Sequence, residues 1–118
     1  MNIEEFRNYC LSKKKVTEEF PFDETTLVFK VMGKIFALTG LNAEEFKVNL
    51  KCSPNYSIEL REKYEDVIPG WHMNKRHWNT VYFERDLEMN FLCQLIDHSY
   101  NLVVEKLKKA DRELLENL

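Results

Sequence analysis

The apolar positions of the chain change period several times, and each change marks an element. Ile3, Phe6, Tyr9 and Cys10 recur at helical spacing, with Asn2 placed to cap the first turn and Glu5 to complete a capping box. This spacing predicts a helix over residues 3–12, closed by Lys13-Lys14-Lys15, whose cations suit the negative end of a helix dipole. The stretch 17–25 holds Pro21 among turn-forming Asp, Glu and Thr residues and reads as a loop. From Thr26 the period falls to two. Leu27, Phe29 and Val31 alternate with Val28 and Lys30, Met32-Gly33-Lys34 supplies a turn, and Ile35-Phe36-Ala37-Leu38 returns as the second strand of a hairpin. Next, Phe46, Val48, Leu50 and Cys52 alternate with Lys47, Asn49 and Lys51, the pattern of a strand buried on one side.

Ser53-Pro54 starts a second helix, Ser at the cap and Pro at the first helical position, running to about Tyr64. Val67 to Met73 and His77 to Tyr82 read as a second hairpin with Asn74-Lys75-Arg76 at its tip. Residues 87–107 carry the longest helical pattern, with Phe91, Leu92, Leu95, Ile96, Ser99, Leu102, Val103 and Leu107 on one face. Lys108 to Leu118 is a charged tail, either a frayed extension of that helix or a weakly packing segment. No repeat, linker or low-complexity tract interrupts residues 1–118. The order predicts a single α+β domain. Its antiparallel sheet has about five strands, as two hairpins plus one strand, with helices packed on one face and the other left to water or a partner.

The 118 residues are 44% apolar and 31% charged, with three glycines and three prolines, a globular balance able to build one core. No apolar run is long enough to span a bilayer, and the acidic start Met1-Asn2-Ile3-Glu4-Glu5-Phe6 lacks the features of a signal peptide. Cys10, Cys52 and Cys93 are odd in number, lack CxxC spacing and sit in apolar patterns, so a reducing, cytoplasmic setting is expected. The net charge of −3 argues against a strongly basic nucleic-acid binder, but binding depends on local fields rather than on the average.

Three stretches resemble the MmcQ/YjbR family. They are Phe20-Pro21-Phe22 with Thr26 to Val31 and Gly33-Lys34; Pro69-Gly70-Trp71-His72-Met73-Asn74-Lys75-Arg76-His77-Trp78-Asn79-Thr80-Val81; and Leu95-Ile96-Asp97-His98-Ser99-Tyr100. The middle stretch is the most specific. The resemblance implies a fold like that of the bacterial frataxin homologue CyaY, and a proposed DNA-binding role through a double wing of hairpins. It brings no iron function, because fold does not fix function.

The residues themselves offer several constellations. Lys30 and Lys34 flank one turn, His72, Lys75, Arg76 and His77 surround the other, and Lys47 and Lys51 share the outward side of their strand. Cations on hairpin tips can displace counterions from phosphate, although hairpin tips are polar in most proteins. Trp71, Trp78 and Tyr82 could stack on bases if exposed, but strand aromatics are more often core, and at least one Trp is expected there. His72 and His77 lack a third ligand closer than Glu84, so no metal or other cofactor is expected. Asp97-His98-Ser99 is not a catalytic triad, because adjacent helical residues point about 100° apart. Ser99 suits close helix packing, while Asp97 and His98 are expected to face solvent or a strand edge. Cys52, beside a helix start, is expected to be buried rather than reactive. Without a phosphate-cradling loop or metalloprotease motif, catalysis is not expected. Three readings follow: a non-enzymatic DNA-binding monomer contacting the phosphate backbone through its two wings, an adaptor domain with a protein partner, and a small-molecule or metal-binding domain.

Overall fold

The computed structural model describes all 118 residues, beginning with α1 (Ile3–Leu11). The expected capping box closes its first turn: Asn2 Oδ1 accepts the Glu5 N–H at 2.9 Å, and Glu5 Oε1 accepts the Asn2 N–H at 3.0 Å. Six strands follow, interrupted by a helix: β1 (Val16–Glu19), β2 (Thr26–Val31), β3 (Lys34–Gly40), β4 (Lys47–Lys51), α2 (Pro54–Lys63), β5 (Val67–Pro69) and β6 (Trp78–Tyr82). Helices α3 (Met89–Glu105) and α4 (Lys109–Glu116) complete the chain. Every strand pairing is antiparallel, in the order β1-β2-β3-β4-β6-β5.

The α+β class, the antiparallel sheet and the helices on one face agree with the sequence. Two details differ. The stretch 17–25 is not wholly loop, because Val16–Glu19 forms a sixth strand at the sheet edge. It is secured by an Arg7–Glu18 ion pair and a 3.4 Å Lys30–Glu19 pair rather than by apolar alternation. The charged tail is a helix of its own, pinned by buried Leu115 and by Lys14 Nζ donating to the Leu118 carbonyl at 3.1 Å.

The core lies between the sheet and α1–α3. Phe6 of α1 is fully buried, with its ring edge-on to Phe29, Phe46 and Phe83 at centroid distances of 5.2, 5.6 and 5.5 Å. Val28 and Leu38, partners across β2–β3, are also buried but stand outside that cluster, on the opposite sheet face. That face is therefore partly covered.

The register sorts charge by end. Pairings Val31↔Lys34, Lys51↔Trp78 and Pro69↔Asn79 put the β2–β3 turn, the end of β4 and the β5–β6 loop at one end of the sheet. Lys34, Lys51, Lys75 and Arg76 gather there, and Lys106 at the end of α3 shares a recess with Lys34 and Lys51. The other end collects Asp23 and Glu24 before β2, Glu44 and Glu45 before β4, and Glu84, Asp86 and Glu88 after β6. A chain of net charge −3 thus has a basic pole.

Candidate functional site

The basic end is built from two unlike tips. Val31 and Lys34 are joined by Met32 at φ 49° and Gly33 at φ 81°, the two positive angles that a tight two-residue hairpin needs. The result is a short turn with Lys34 exposed. The second tip is not a regular hairpin. Strand β5 stops at Pro69, and the last ladder bond runs from the Gly70 N–H to the Trp78 carbonyl at 2.9 Å. A Cβ on Gly70 would lie 2.8 Å from Trp78 Cβ and 2.9 Å from its carbonyl oxygen, so only glycine fits this approach.

Beyond Gly70 the backbone leaves the strand and folds over the open sheet face. The turn passes through His72 at φ 58°, a left-handed conformation that non-glycine residues adopt at a cost. A closed ring of hydrogen bonds fixes the fold-back. The Trp71 N–H donates to Thr80 Oγ1 at 2.9 Å, the Thr80 hydroxyl donates to Asn49 Oδ1 at 2.5 Å, and Asn49 Nδ2 donates to the Trp71 carbonyl at 3.2 Å. From the helical side, the Arg61 guanidinium donates to Asn79 Oδ1 at 2.8 Å, to the Trp78 carbonyl at 3.1 Å and to the Lys75 carbonyl.

This geometry corrects the expectation that Trp71, His72 and Met73 lie in a strand with the Trp and His faces opposed. Trp71 and His72 are both exposed, their rings edge to face at 4.9 Å. Neither Trp71 nor Trp78 belongs to the core cluster, so the expected core tryptophan is absent. Register, which sets the facing of a strand residue, says nothing about one that has left the ladder.

The candidate cations separate into groups. Lys34, Lys51 and Arg76 share the basic end and form no ion pair, and the same holds for Lys106, which the sequence pattern did not single out. Lys34, Lys51 and Lys106 line one recess of about 380 Å³. Lys75 is at the tip, but its ammonium donates to the Gly70 carbonyl at 2.9 Å and closes its own loop. Lys30 is engaged with Glu19 at 3.4 Å. His77 is half-buried where the Cys52 N–H donates to its carbonyl at 2.8 Å. Lys47 lies toward the opposite end, paired in register with Tyr82, its Nζ 5.9 Å from that ring. No three His, Cys, Asp or Glu side chains come close enough together to hold a metal ion.

Asp97, His98 and Ser99 serve three different elements. Asp97, its side chain 40% exposed, accepts from the Tyr9 hydroxyl at 2.6 Å and from Lys13, so it faces the α1 region as well as solvent. His98 Nε2 accepts the Ser53 N–H at the start of α2, and burial pushes its pKa down. Ser99 is fully buried against the sheet. Ser53 occupies the predicted cap position with Pro54 following, but its own side chain makes no capping bond. Burial raises the Cys52 thiol pKa, as the strand pattern implied.

The folded-back segment, the residues around Phe22 and the open sheet face enclose a cleft of about 520 Å³. Its lining includes Phe22, Leu38, Lys47, Asn49, Trp71 and Thr80. Sequence reasoning noted Trp71, His72 and Lys47 but missed Phe22, Leu38, Asn49 and Thr80 as site residues. Only the outward position of Asn49 on β4 offered a signal.

The YjbR family model matches residues 11–102. The chain is 34% identical over 118 residues to the uncharacterized protein YjbR of Escherichia coli K12, covering the whole of both chains. It is 41% identical over 95 residues to the uncharacterized protein YbdF of Escherichia coli O157:H7, covering 80% of this chain and 77% of that one. Among solved structures, a Deinococcus radiodurans protein of domain DUF419 superposes with a TM-score of 0.90 at 36% identity, over 98% of this chain and 88% of that one. A Pseudomonas syringae protein gives a TM-score of 0.74 at 28% identity, over 86% and 98% of the two chains.

Proposed function

The chain belongs to the YjbR family, and we propose that it is a non-enzymatic monomer that binds DNA through the phosphate backbone at its basic end. One observation carries this reading: Lys34, Lys51, Arg76 and Lys106 stand without ion-pair partners at the end where both hairpin tips emerge, while carboxylates collect at the other. Unpaired cations are the groups that release condensed counterions on meeting phosphate. The polarity orients the molecule, attracting a polyanion to one pole and repelling it from the other. The two tips act as wings that straddle a backbone, reading its shape and charge rather than base edges. Lys30 and Lys75, already engaged, support the wings from within.

The test is fluorescence anisotropy of labelled mixed-sequence duplex DNA, single-stranded DNA and RNA at about 50 and 200 mM salt. Binding is expected to weaken with salt. Lys34→Glu with Arg76→Glu should weaken it on every sequence and flatten the slope of log K against log salt by about two. Lys75 is left intact because its ammonium closes the loop. Absence of binding at about 100 μM protein, or an unchanged salt slope in the double variant, refutes the wings.

A further inference from the structure

The open-face cleft has features that the basic end does not explain. At about 520 Å³ it falls within the range of small-molecule sites, about 300–1,000 Å³. Its rim exposes two large aromatic side chains, Trp71 at 61% and Phe22 at 65%, an apolar cost to a chain with no occupant there. Its shape is set in advance. The Trp71–Thr80–Asn49 ring of hydrogen bonds and the left-handed turn at His72 hold the folded-back segment in place. Strained backbone held by a satisfied polar network is characteristic of preorganised sites.

The charge in the cleft is equally specific. No Asp or Glu lines it, and Lys47 is the one lysine that does. Glu45, in an acidic loop at this end, feels the charge of Lys47 but is held chiefly by Arg85. Its guanidinium grips both Glu45 oxygens, at 2.9 and 2.5 Å, and lies 3.6 Å from the Tyr82 ring centroid. Lys47 is left without an ion pair beside an apolar floor formed by Leu38.

We infer that this cleft binds a small planar aromatic monoanion, with an aromatic carboxylate as the simplest form. The ring lies against Trp71 and Phe22 over Leu38, and the carboxylate meets Lys47. One lysine matches one negative charge, which favours a carboxylate over a doubly charged phosphate ester. The two sites share the β5–β6 loop, but the cation of this one is distinct, because Lys47 lies toward the opposite end of the sheet from Lys34 and Arg76.

The test is calorimetric titration of the full chain with 2-naphthoate, 2-naphthylmethanol and 2-naphthylmethylamine. The carboxylate should bind with a Kd below about 1 mM. The alcohol should bind about ten-fold more weakly, and the amine more weakly still. Lys47→Met should bring the carboxylate down to the level of the alcohol, and Trp71→Ala, which removes an exposed side chain and keeps the backbone bonds to Asn49 and Thr80, should abolish both. Lys34→Glu with Arg76→Glu should leave naphthoate binding unchanged. Three results would each overturn the inference: no heat for naphthoate at about 2 mM, equal affinity for carboxylate and amine, or loss of naphthoate binding in the Lys34/Arg76 variant.

Discussion

The Ser99 hydroxyl accepts the backbone N–H of Lys51 at 2.8 Å, and in doing so stands in for a missing piece of β-ladder. The same hydroxyl donates to the Phe36 carbonyl at 2.5 Å. The β3–β4 ladder is short, pairing only Ala37↔Leu50 and Leu38↔Asn49, and it stops before Phe36 and Lys51. A single helical side chain fills that gap and satisfies one group from each strand.

Ser99→Ala removes both bonds without adding volume. Each buried backbone group left unpaired costs about 1–3 kcal/mol. The Lys51 amide is only partly buried, so a total loss of about 2–3 kcal/mol is expected. Urea unfolding of the variant should show a lower midpoint with an unchanged m-value. An unfolding free energy within about 0.5 kcal/mol of the parent would mean that water replaces the hydroxyl at both groups.

Gly70→Ala probes the fold-back of the β5–β6 loop. The added Cβ meets the Cβ and backbone of Trp78 below 3.0 Å, and backbone atoms cannot move aside cheaply. The expected cost is about 1–3 kcal/mol from overpacking. The segment carrying Trp71 should also loosen, so acrylamide should quench tryptophan fluorescence more efficiently than in the parent. A stable variant with unchanged quenching would show that the loop has slack.

The elements visible in the sequence are those whose signal is local. Alternation of Phe46, Val48, Leu50 and Cys52 gave β4, Gly33 gave the tight turn, and Asn2 with Glu5 gave the start of α1. Strand β1 was invisible because Glu18 and Glu19 are held by Arg7 and Lys30, partners set by the tertiary fold. The Trp71 segment misled for a related reason. Its β-forming aromatics suggest a strand, but the bonds to Thr80 and Asn49 that turn it back are long-range in sequence. The basic pole was half legible. Lysines at both turns were evident, whereas the ion pair that occupies Lys30 and the addition of Lys106 required the fold.

His98 should give the protein a stability change just below neutrality. Burial lowers its pKa from the ordinary value of 6.5, opposed in part by Glu105. Its Nε2 accepts the Ser53 N–H at the positive end of α2, which requires that nitrogen to be unprotonated. The unfolded chain takes up this proton at about pH 6.5, before the folded chain does. Stability from His98 is therefore complete above about pH 6.5 and falls as pH drops toward the folded pKa. Urea midpoints at about pH 8, 6 and 5 should decline in the parent and decline less in His98→Gln. The lowered carboxylates, among them Glu18 beside Arg7 and Glu45 beside Arg85, act in a separate window below their ordinary value of 4.5. Parallel parent and variant curves between about pH 8 and 5 would exclude His98 as the source.

The C-terminal helix should depend on one leucine. Leu115 is buried and belongs to the core cluster, while neighbouring Leu114 and Leu118 are exposed. Helix α4 has eight residues, too few to hold together in water without packing. Leu115→Ala should therefore cost about 2 kcal/mol, at the low end for a buried leucine because the helix can fray and relieve the cavity. Amide exchange should quicken across residues 109–116 in that variant, while the amides of β2–β4 keep their protection relative to global stability. Leu114→Ala should lie within about 0.5 kcal/mol of the parent and leave the exchange pattern intact. Equal effects of the two substitutions would mean that α4 is held by its whole apolar edge, and faster exchange throughout the sheet in Leu115→Ala would make α4 part of the cooperative core rather than an appended unit.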